Sequence, residues 1–271
     1  MTIGRRIYGL GALVLGIPGM IYGNFAALGL PVPAHLPGYY VLFYASAGLL
    51  VLAGLAINWP RTAAIGSLML GAFFAAWLLA LHLPHAAVQP TVWVSWEAVA
   101  ETIVMALGGV LAWIQLRGLG DKRAAAIWRI ARPLFGLCLM VFGTSEFVYA
   151  GYTAAMVPAW IPPTQLFWAY ATGAAQIIAG LAIASGIQAR LAAILLTTMY
   201  LVFSLIVHLP RVIAEPTGAL QWAENGVNLV LAGAAWLLVE MLAAAKRAPG
   251  TLHRFAGEQG QAGLETGQRQ A

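Results

Sequence analysis

Eight apolar stretches of about 20 residues constrain this chain more than any other feature, because each is long enough to cross a bilayer as a helix. Their predicted bounds are Ile7–Leu28, Tyr39–Ile57, Thr62–His82, Trp96–Leu116, Pro133–Ala150, Phe167–Ile187, Leu191–His208 and Gly226–Ala245. None shows the strict alternation that is typical of membrane barrel strands. The sequence therefore predicts an all-α membrane protein with eight transmembrane helices.

The composition agrees with a membrane protein and excludes several other classes. Hydrophobic residues make up 61% of the chain and charged residues 8%, whereas a soluble domain has about 45–50% and about 25%. Intrinsic disorder and a nucleic-acid-binding domain are excluded, and the single cysteine, Cys138, cannot form an intrachain disulfide. The expected partner is the lipid bilayer, and the net charge of +5 belongs to loops at its surface.

The basic residues predict the orientation. With a cytoplasmic N-terminus, all of the 14 Lys and Arg residues except Arg211 fall on the cytoplasmic side. Because cytoplasmic loops are rich in Lys and Arg, we expect a multi-pass protein of a bacterial inner membrane with both termini in the cytoplasm. The polar segment 247–271 is predicted to be a disordered cytoplasmic tail.

The two halves of the chain resemble one another at an offset of about 126–127 residues. Gly9 corresponds to Gly136, and the triplet at 82–84, His-Leu-Pro, recurs at 208–210. An even number of spans in each copy predicts two parallel repeats, related by an axis along the membrane normal. We therefore expect two tandem four-helix bundles over 1–118 and 132–246, joined by a basic cytoplasmic linker over 119–131.

Several segments of the second half resemble the DoxX-like family of small four-helix membrane proteins. The segments that carry the resemblance are 142–149, 156–162, 167–170, 172–176, 180–183, 189–193 and 207–211, followed by Trp222. The first half resembles a more diverged copy. Members of the family often have histidine where this chain has Glu146 and Gln176. The resemblance implies an association with quinone-linked redox complexes, and hence with other membrane or redox proteins.

Polar side chains within the apolar stretches or next to their ends mark a candidate site, since a polar group is costly in a membrane. The candidate ligand-binding residues are His82, Glu97, Glu101, Glu146, Gln176, His208, Arg211, Glu224 and Asn228. All of these except Gln176 and Asn228 are expected toward the side opposite the basic loops. Each half thus offers a histidine near an acidic helix start.

Two interpretations of this set stay open. Histidine and carboxylate together can exchange a proton near neutral pH, which suits a ligand such as a quinone head group. Alternatively, the acids complement the positive ends of helix dipoles, and Glu146 pairs with Gln176 as a packing contact. No metal site is predicted, because spacing such as H-E-x-x-H is absent, and haem held by His82 and His208 is disfavoured.

Three functions follow as hypotheses. The first is a redox- or quinone-associated membrane subunit with a polar site at the outer face. The second is a proton-coupled small-molecule transporter, and the third is a structural membrane protein without a ligand. The sequence identifies neither catalytic residues nor a cofactor, and it leaves open whether the protein is an enzyme.

Overall fold

The structure is a computed structural model, and it describes residues 2–25, 32 and 35–247. These residues form nine helices and no strand. The helices are α1 (Ile3–Tyr22), α2 (Tyr39–Ile57), α3 (Ala63–Val88), α4 (Trp93–Arg117), α5 (Lys122–Val148), α6 (Ala150–Met156), α7 (Gln165–Ser185), α8 (Ala189–Ala214) and α9 (Ala219–Arg247). The predicted tail lies outside the described residues, except for Arg247.

Seven helices in the described part of the chain are long and apolar enough to cross a membrane. They are α2, α3, α4, α5, α7, α8 and α9, so the prediction of an all-α membrane protein is confirmed. Helix α1 has 20 residues, but it carries Arg5 and Arg6 near its start and Pro18 within it. It is not among the seven, and the eighth span stays a prediction.

Helices α3 and α8 continue past the histidines at which the sequence predicted their ends. Each contains a π-helical turn, Leu78–His82 in α3 and Ser204–His208 in α8. In α3, the N–H of Leu83 bonds to the carbonyl of Leu78, five residues earlier. Pro84 then lies in the first turn of the following six-residue segment, where its missing N–H removes no helical hydrogen bond. The predicted ends at His82 and His208 were therefore wrong.

Most of the predicted linker, 119–131, is helical. Helix α5 begins at Lys122 and runs through Pro133 without interruption. Asp121 caps it, because its carboxylate accepts the N–H of Ala124 at 3.0 Å. That hydrogen bond also holds the pKa of Asp121 below its usual range. The connection between the two halves is thus only the short turn at 118–121.

The two halves are packed into one another rather than set side by side. Within each half, consecutive long helices pack together, α1 on α2 and α5 on α7, for example. Across the halves, α1 packs along α9, while α5 packs on α4. Tyr8 on α1 is fully buried in this interface, and its hydroxyl donates to the carbonyl of Met105 at 2.5 Å. Gly108 leaves room for the Tyr8 ring and Gly233 for the Tyr8 backbone, since a Cβ at either position would overlap with these atoms.

Two ends of the molecule differ in chemistry. At the basic end, Thr2 donates to Gln115 at 3.1 Å, and Gln115 donates to Glu240 at 2.5 Å, which joins the start of α1 to the ends of α4 and α9. At the opposite end, which we call the tryptophan end, three indole N–H groups donate to a proline carbonyl six residues earlier. The pairs are Trp96 to Pro90 (3.0 Å), Trp168 to Pro162 (2.9 Å) and Trp222 to Pro216 (2.9 Å).

Candidate functional site

A cavity of about 760 Å³ lies toward the tryptophan end, between α4, α5, α6, α7 and α8. Most of its wall is apolar and comes from side chains such as Val94, Met156, Met199, Phe203 and Ile206. The polar and aromatic side chains in its wall are Glu97, Ser145, Glu146, Tyr149, Tyr152, Thr153, Trp168, Thr172 and His208. An apolar cavity with a few convergent polar groups is the usual form of a small-molecule site.

Glu146 lies in the last turn of α5 and is hydrogen bonded on one side only. Its Oε1 accepts the amide N–H of Gln176 on α7 at 3.3 Å. Gln176 itself is buried, with 3% of its surface exposed. The other oxygen, Oε2, is buried and has no hydrogen-bond partner among the described residues. The predicted pairing of these two side chains is thus present. Oε2 has no hydrogen bond of normal geometry, although the Thr153 side chain lies close to the carboxyl group.

Close contact between α5 and α7 fixes the position of Glu146. A Cβ on Gly173 would stand 2.8 Å from the Cβ of Glu146 and 2.9 Å from the carbonyl of Gly143. Any larger residue at Gly173 would therefore push the two helices apart. Because Gly143 and Gly173 allow this close approach, the amide group of Gln176 on α7 reaches the carboxyl group of Glu146 on α5.

His208 connects the cavity to a charged pair near the surface. Its Nδ1 lies 3.8 Å from Oε2 of Glu224, beyond hydrogen-bonding distance, and has no partner among the described residues. The same Glu224 oxygen accepts Nη1 of Arg211 at 2.7 Å. Side-chain exposure falls from 35% at Arg211 to 19% at Glu224 and 12% at His208. The three side chains therefore form a row that leads from the surface to the cavity wall.

The remaining predicted residues lie outside the lining of this cavity. Asn228 on α9 donates to the carbonyl of Tyr200 at 2.6 Å and to the hydroxyl of Ser204 at 2.7 Å, which holds α9 against the π-helical turn of α8. Glu101 is one turn farther along α4 than Glu97. His82 is buried at the end of the π-helical turn in α3. The structure thus brings Glu97, Glu146 and His208 to one cavity, and the ligand-binding role of the set stays a prediction.

Sequence reasoning missed Ser145, Tyr149 and the residues of α6. Ser145 is 3% exposed and its Oγ has no partner among the described residues, although it lines the cavity. The Tyr149 hydroxyl accepts the N–H of Val94 at 3.1 Å and so joins the end of α5 to the start of α4. A serine beside Glu146 was visible in the sequence, but nothing showed that its hydroxyl would lack a partner.

The first half has an aromatic cluster near the corresponding π-helical turn. Phe25 makes edge contacts with Tyr39, Phe43 and Trp77, with ring centroids 5.1, 5.2 and 5.6 Å away. Trp77 stands directly before the π-helical turn of α3, as Phe203 does in α8. Phe25, Phe43 and Trp77 are buried. Rings therefore fill the space next to Trp77, whereas Phe203 borders the cavity.

Within the described residues, no group of three or more His, Cys, Asp or Glu side chains could hold a metal ion. The groups that face the cavity are instead suited to hydrogen bonding. A hydroxyl, a carboxyl oxygen and an imidazole nitrogen of its lining residues have no hydrogen-bond partner among the described residues.

Comparison with known proteins agrees with the resemblance seen in the sequence. The family described as DoxX matches residues 127–209, which run from α5 to the π-helical turn of α8 and include Glu146, Gln176 and His208. No curated protein and no solved structure matches the chain. The family resemblance is confirmed, and it rests on the DoxX domain at residues 127–209.

Proposed function

We propose that this integral membrane protein binds a membrane-soluble small molecule with a hydrogen-bonding head group in the cavity beside Glu146. The observation that carries the proposal concerns three of the six buried polar atoms that have no hydrogen-bond partner in the described part of the chain, Ser145 Oγ, Glu146 Oε2 and His208 Nδ1. All three belong to residues that line the same cavity. Because an unsatisfied buried polar group costs about 1–3 kcal/mol, a ligand that satisfies several of them gains affinity.

The cavity favours an amphipathic ligand over a fully polar one. Its volume of about 760 Å³ is within the range of drug-sized sites, and most of its wall is aliphatic or aromatic. A quinone is the ligand class expected from the sequence, and its chemistry suits these groups. Its carbonyl oxygens would accept from Ser145 and His208, and a quinol hydroxyl would donate to Glu146. A role in quinone-linked redox chemistry, beside partner redox proteins, would follow from such binding.

We further propose that the chain is a tandem duplication with eight spans, both termini being cytoplasmic in a bacterial inner membrane. Equivalent glycines support the duplication. A Cβ on Gly9 would lie 2.9 Å from the carbonyl of Gly54, and one on Gly136 would lie 2.5 Å from that of Gly180. The matched π-helical turns and the two indole bonds of Trp96 and Trp222 support it as well. The repeats would cover 1–118 and 132–246.

Titration with decylubiquinone tests the binding site. The full chain, purified in an uncharged detergent, should bind decylubiquinone saturably, as followed by isothermal titration. Loss of the imidazole in His208→Gln should weaken binding about tenfold, because one hydrogen bond to the head group disappears. His82→Gln is the matched control, since His82 ends the equivalent π-helical turn but does not line the cavity.

Both variants should elute as a single species on size exclusion, which separates a binding effect from unfolding. Equal affinity of the wild type and His208→Gln, or equal loss in both variants, would contradict the assignment of this cavity. Absence of saturable binding by decylubiquinone and by every other amphiphile tried would remove the proposed function itself.

A further inference from the structure

The cavity wall contains two carboxyl groups and no side chain of lysine or arginine among the described residues. The carboxyl groups belong to Glu97 on α4 and Glu146 on α5. Arg211, which lies nearby, is engaged by Glu224 at 2.7 Å. The cavity therefore has two carboxyl groups and no fixed positive side chain opposite them.

A second observation, independent of the carboxyl groups, concerns a buried hydroxyl in the same wall. Ser145 is 97% buried, and it lies in the wall next to Glu146. Its Oγ has no hydrogen bond of normal geometry among the described residues, although the carboxyl group of Glu97 lies close to it. A buried hydroxyl normally has a hydrogen-bond partner, because the unpaired group is costly. The missing partner and the two carboxyl groups belong to one cavity.

Aromatic rings complete the wall around the carboxyl groups. Tyr149, Tyr152, Trp168 and Phe203 all line the cavity. The face of an aromatic ring attracts a cation within about 6 Å of its centre, and the attraction grows when the cation is desolvated. Carboxylates together with aromatic rings are thus complementary to a positive charge that carries apolar groups.

We propose that the ligand of this cavity is a lipophilic monocation whose ammonium N–H groups form the hydrogen-bonding head group. An isolated carboxylate in an apolar surrounding is strongly disfavoured, and a cation of low hydration compensates it with little desolvation cost. The apolar wall selects against a hydrated metal ion, and the two carboxyl groups select against an anion. This inference rests on the proposed function, because it names the ligand class of the same site.

Two ions of equal shape and opposite charge show whether the affinity of the cavity depends on the charge of the ligand or only on its shape. Tetraphenylphosphonium and tetraphenylborate are both bulky, apolar and tetrahedral. Equilibrium dialysis of the full chain in dodecyl maltoside, with protein-free micelles subtracted, measures both affinities. We expect saturable binding of the phosphonium, at least tenfold tighter than that of the borate.

Carboxamide variants locate the charge. Glu146→Gln and Glu97→Gln should each weaken phosphonium binding about tenfold or more, the size expected when a partly buried charge contact is removed. Glu215→Gln is the matched control, because Glu215 is exposed at the same end of the molecule and does not line the cavity. It should leave the affinity unchanged.

Each outcome decides between the two proposals. Equal binding of both ions, or unchanged phosphonium affinity in both carboxamide variants, overturns the cation assignment. If decylubiquinone still binds in that case, the proposed site stands with a neutral ligand. Failure of all three probes to bind overturns both proposals. Should the variants not fold, the wild type alone remains decisive, because tetraphenylphosphonium must raise its thermal unfolding midpoint more than tetraphenylborate does.

Discussion

A single methyl group added between α5 and α7 should force the two helices apart and lower the stability of the protein. Gly136 faces Gly180 across this interface, and a Cβ on Gly136 would stand 2.5 Å from the Gly180 carbonyl and 2.7 Å from the Ala184 nitrogen. Both of these are backbone atoms, so no side chain can rotate away. Ordinary contact begins at 3.4 Å, and the helices must therefore separate by about 0.9 Å in Gly136→Ala.

The expected loss in the free energy of unfolding is the difference between a packing cost and a gain in helix propensity. Forcing a methylene group into a packed interface costs about 1–3 kcal/mol. Alanine in place of glycine within a helix returns about 0.5–1 kcal/mol. At the midpoints of the two ranges, the net loss in the free energy of unfolding for Gly136→Ala is about 1.25 kcal/mol. This corresponds to roughly 2.5–5 °C in the unfolding midpoint of a chain of this size. Displacement of α7 should also lengthen the contact between Gln176 and Glu146.

Thermal unfolding in detergent, followed by size exclusion after heating, measures the effect. Gly48→Ala is the matched control, since a Cβ on this helical glycine would meet no atom within 4 Å. Gly48→Ala should raise the unfolding midpoint slightly, because alanine favours the helix more than glycine does and no steric overlap opposes this gain. If Gly136→Ala were as stable as Gly48→Ala, the close approach of α5 and α7 described here would be incorrect.

Two further predictions concern helix capping and topology. Thr164 caps α7 by accepting the N–H of Phe167 at 3.1 Å, so Thr164→Ala should cost about 1 kcal/mol, measured as a lower unfolding midpoint, while Thr164→Ser should restore most of it. In a Cys138→Ser background, single cysteines at Gln89, Trp160 or Glu215 should react with an impermeant thiol reagent added outside intact cells, and a cysteine at Leu119 should not; labelling of the latter would contradict the proposed orientation.

The positions of the long helices could be predicted from sequence, because an apolar stretch of about 20 residues is enough to indicate a membrane-spanning helix. Their ends could not, as α3 shows. The prediction ended this span at His82, two residues before Pro84, and a proline lacks the N–H group that a continuing helix needs. The π-helical turn before Pro84 shifts the hydrogen bonding, so Pro84 lies in the first turn of the segment that continues the helix. No composition signal distinguishes a proline after a π-helical turn from one after a helix end.

The site was partly predictable for a similar reason. Glu146 and His208 were found because a polar residue in an apolar stretch is conspicuous. Ser145 was missed because a serine within a helix usually bonds its own backbone, as Ser67 does with the carbonyl of Ala63 at 2.7 Å. Sequence spacing grouped His82 with His208. It gave no sign that aromatic rings fill the space next to Trp77 in the first half, where the second half has a cavity.

The contrast between the two halves yields a last prediction, on Trp77 and Phe203. Each residue directly precedes a π-helical turn, yet Trp77 is 8% exposed within an aromatic cluster, whereas Phe203 borders the cavity. Trp77→Ala should cost about 3–5 kcal/mol, because it removes packed contacts and leaves a new void. Phe203→Ala should cost less, roughly half as much, since one side of its ring already faces empty space.

The effect of the two substitutions on ligand affinity should be in the opposite order to their effect on stability. Phe203→Ala removes an apolar and aromatic part of the cavity wall, so it should weaken binding of decylubiquinone or tetraphenylphosphonium. Trp77→Ala should leave binding unchanged at temperatures where the variant stays folded. Unfolding midpoints and titrations of the two variants check both orders. Equal destabilisation by the two substitutions would mean that the cavity beside Phe203 is filled by protein, and the site proposed here would then be lost.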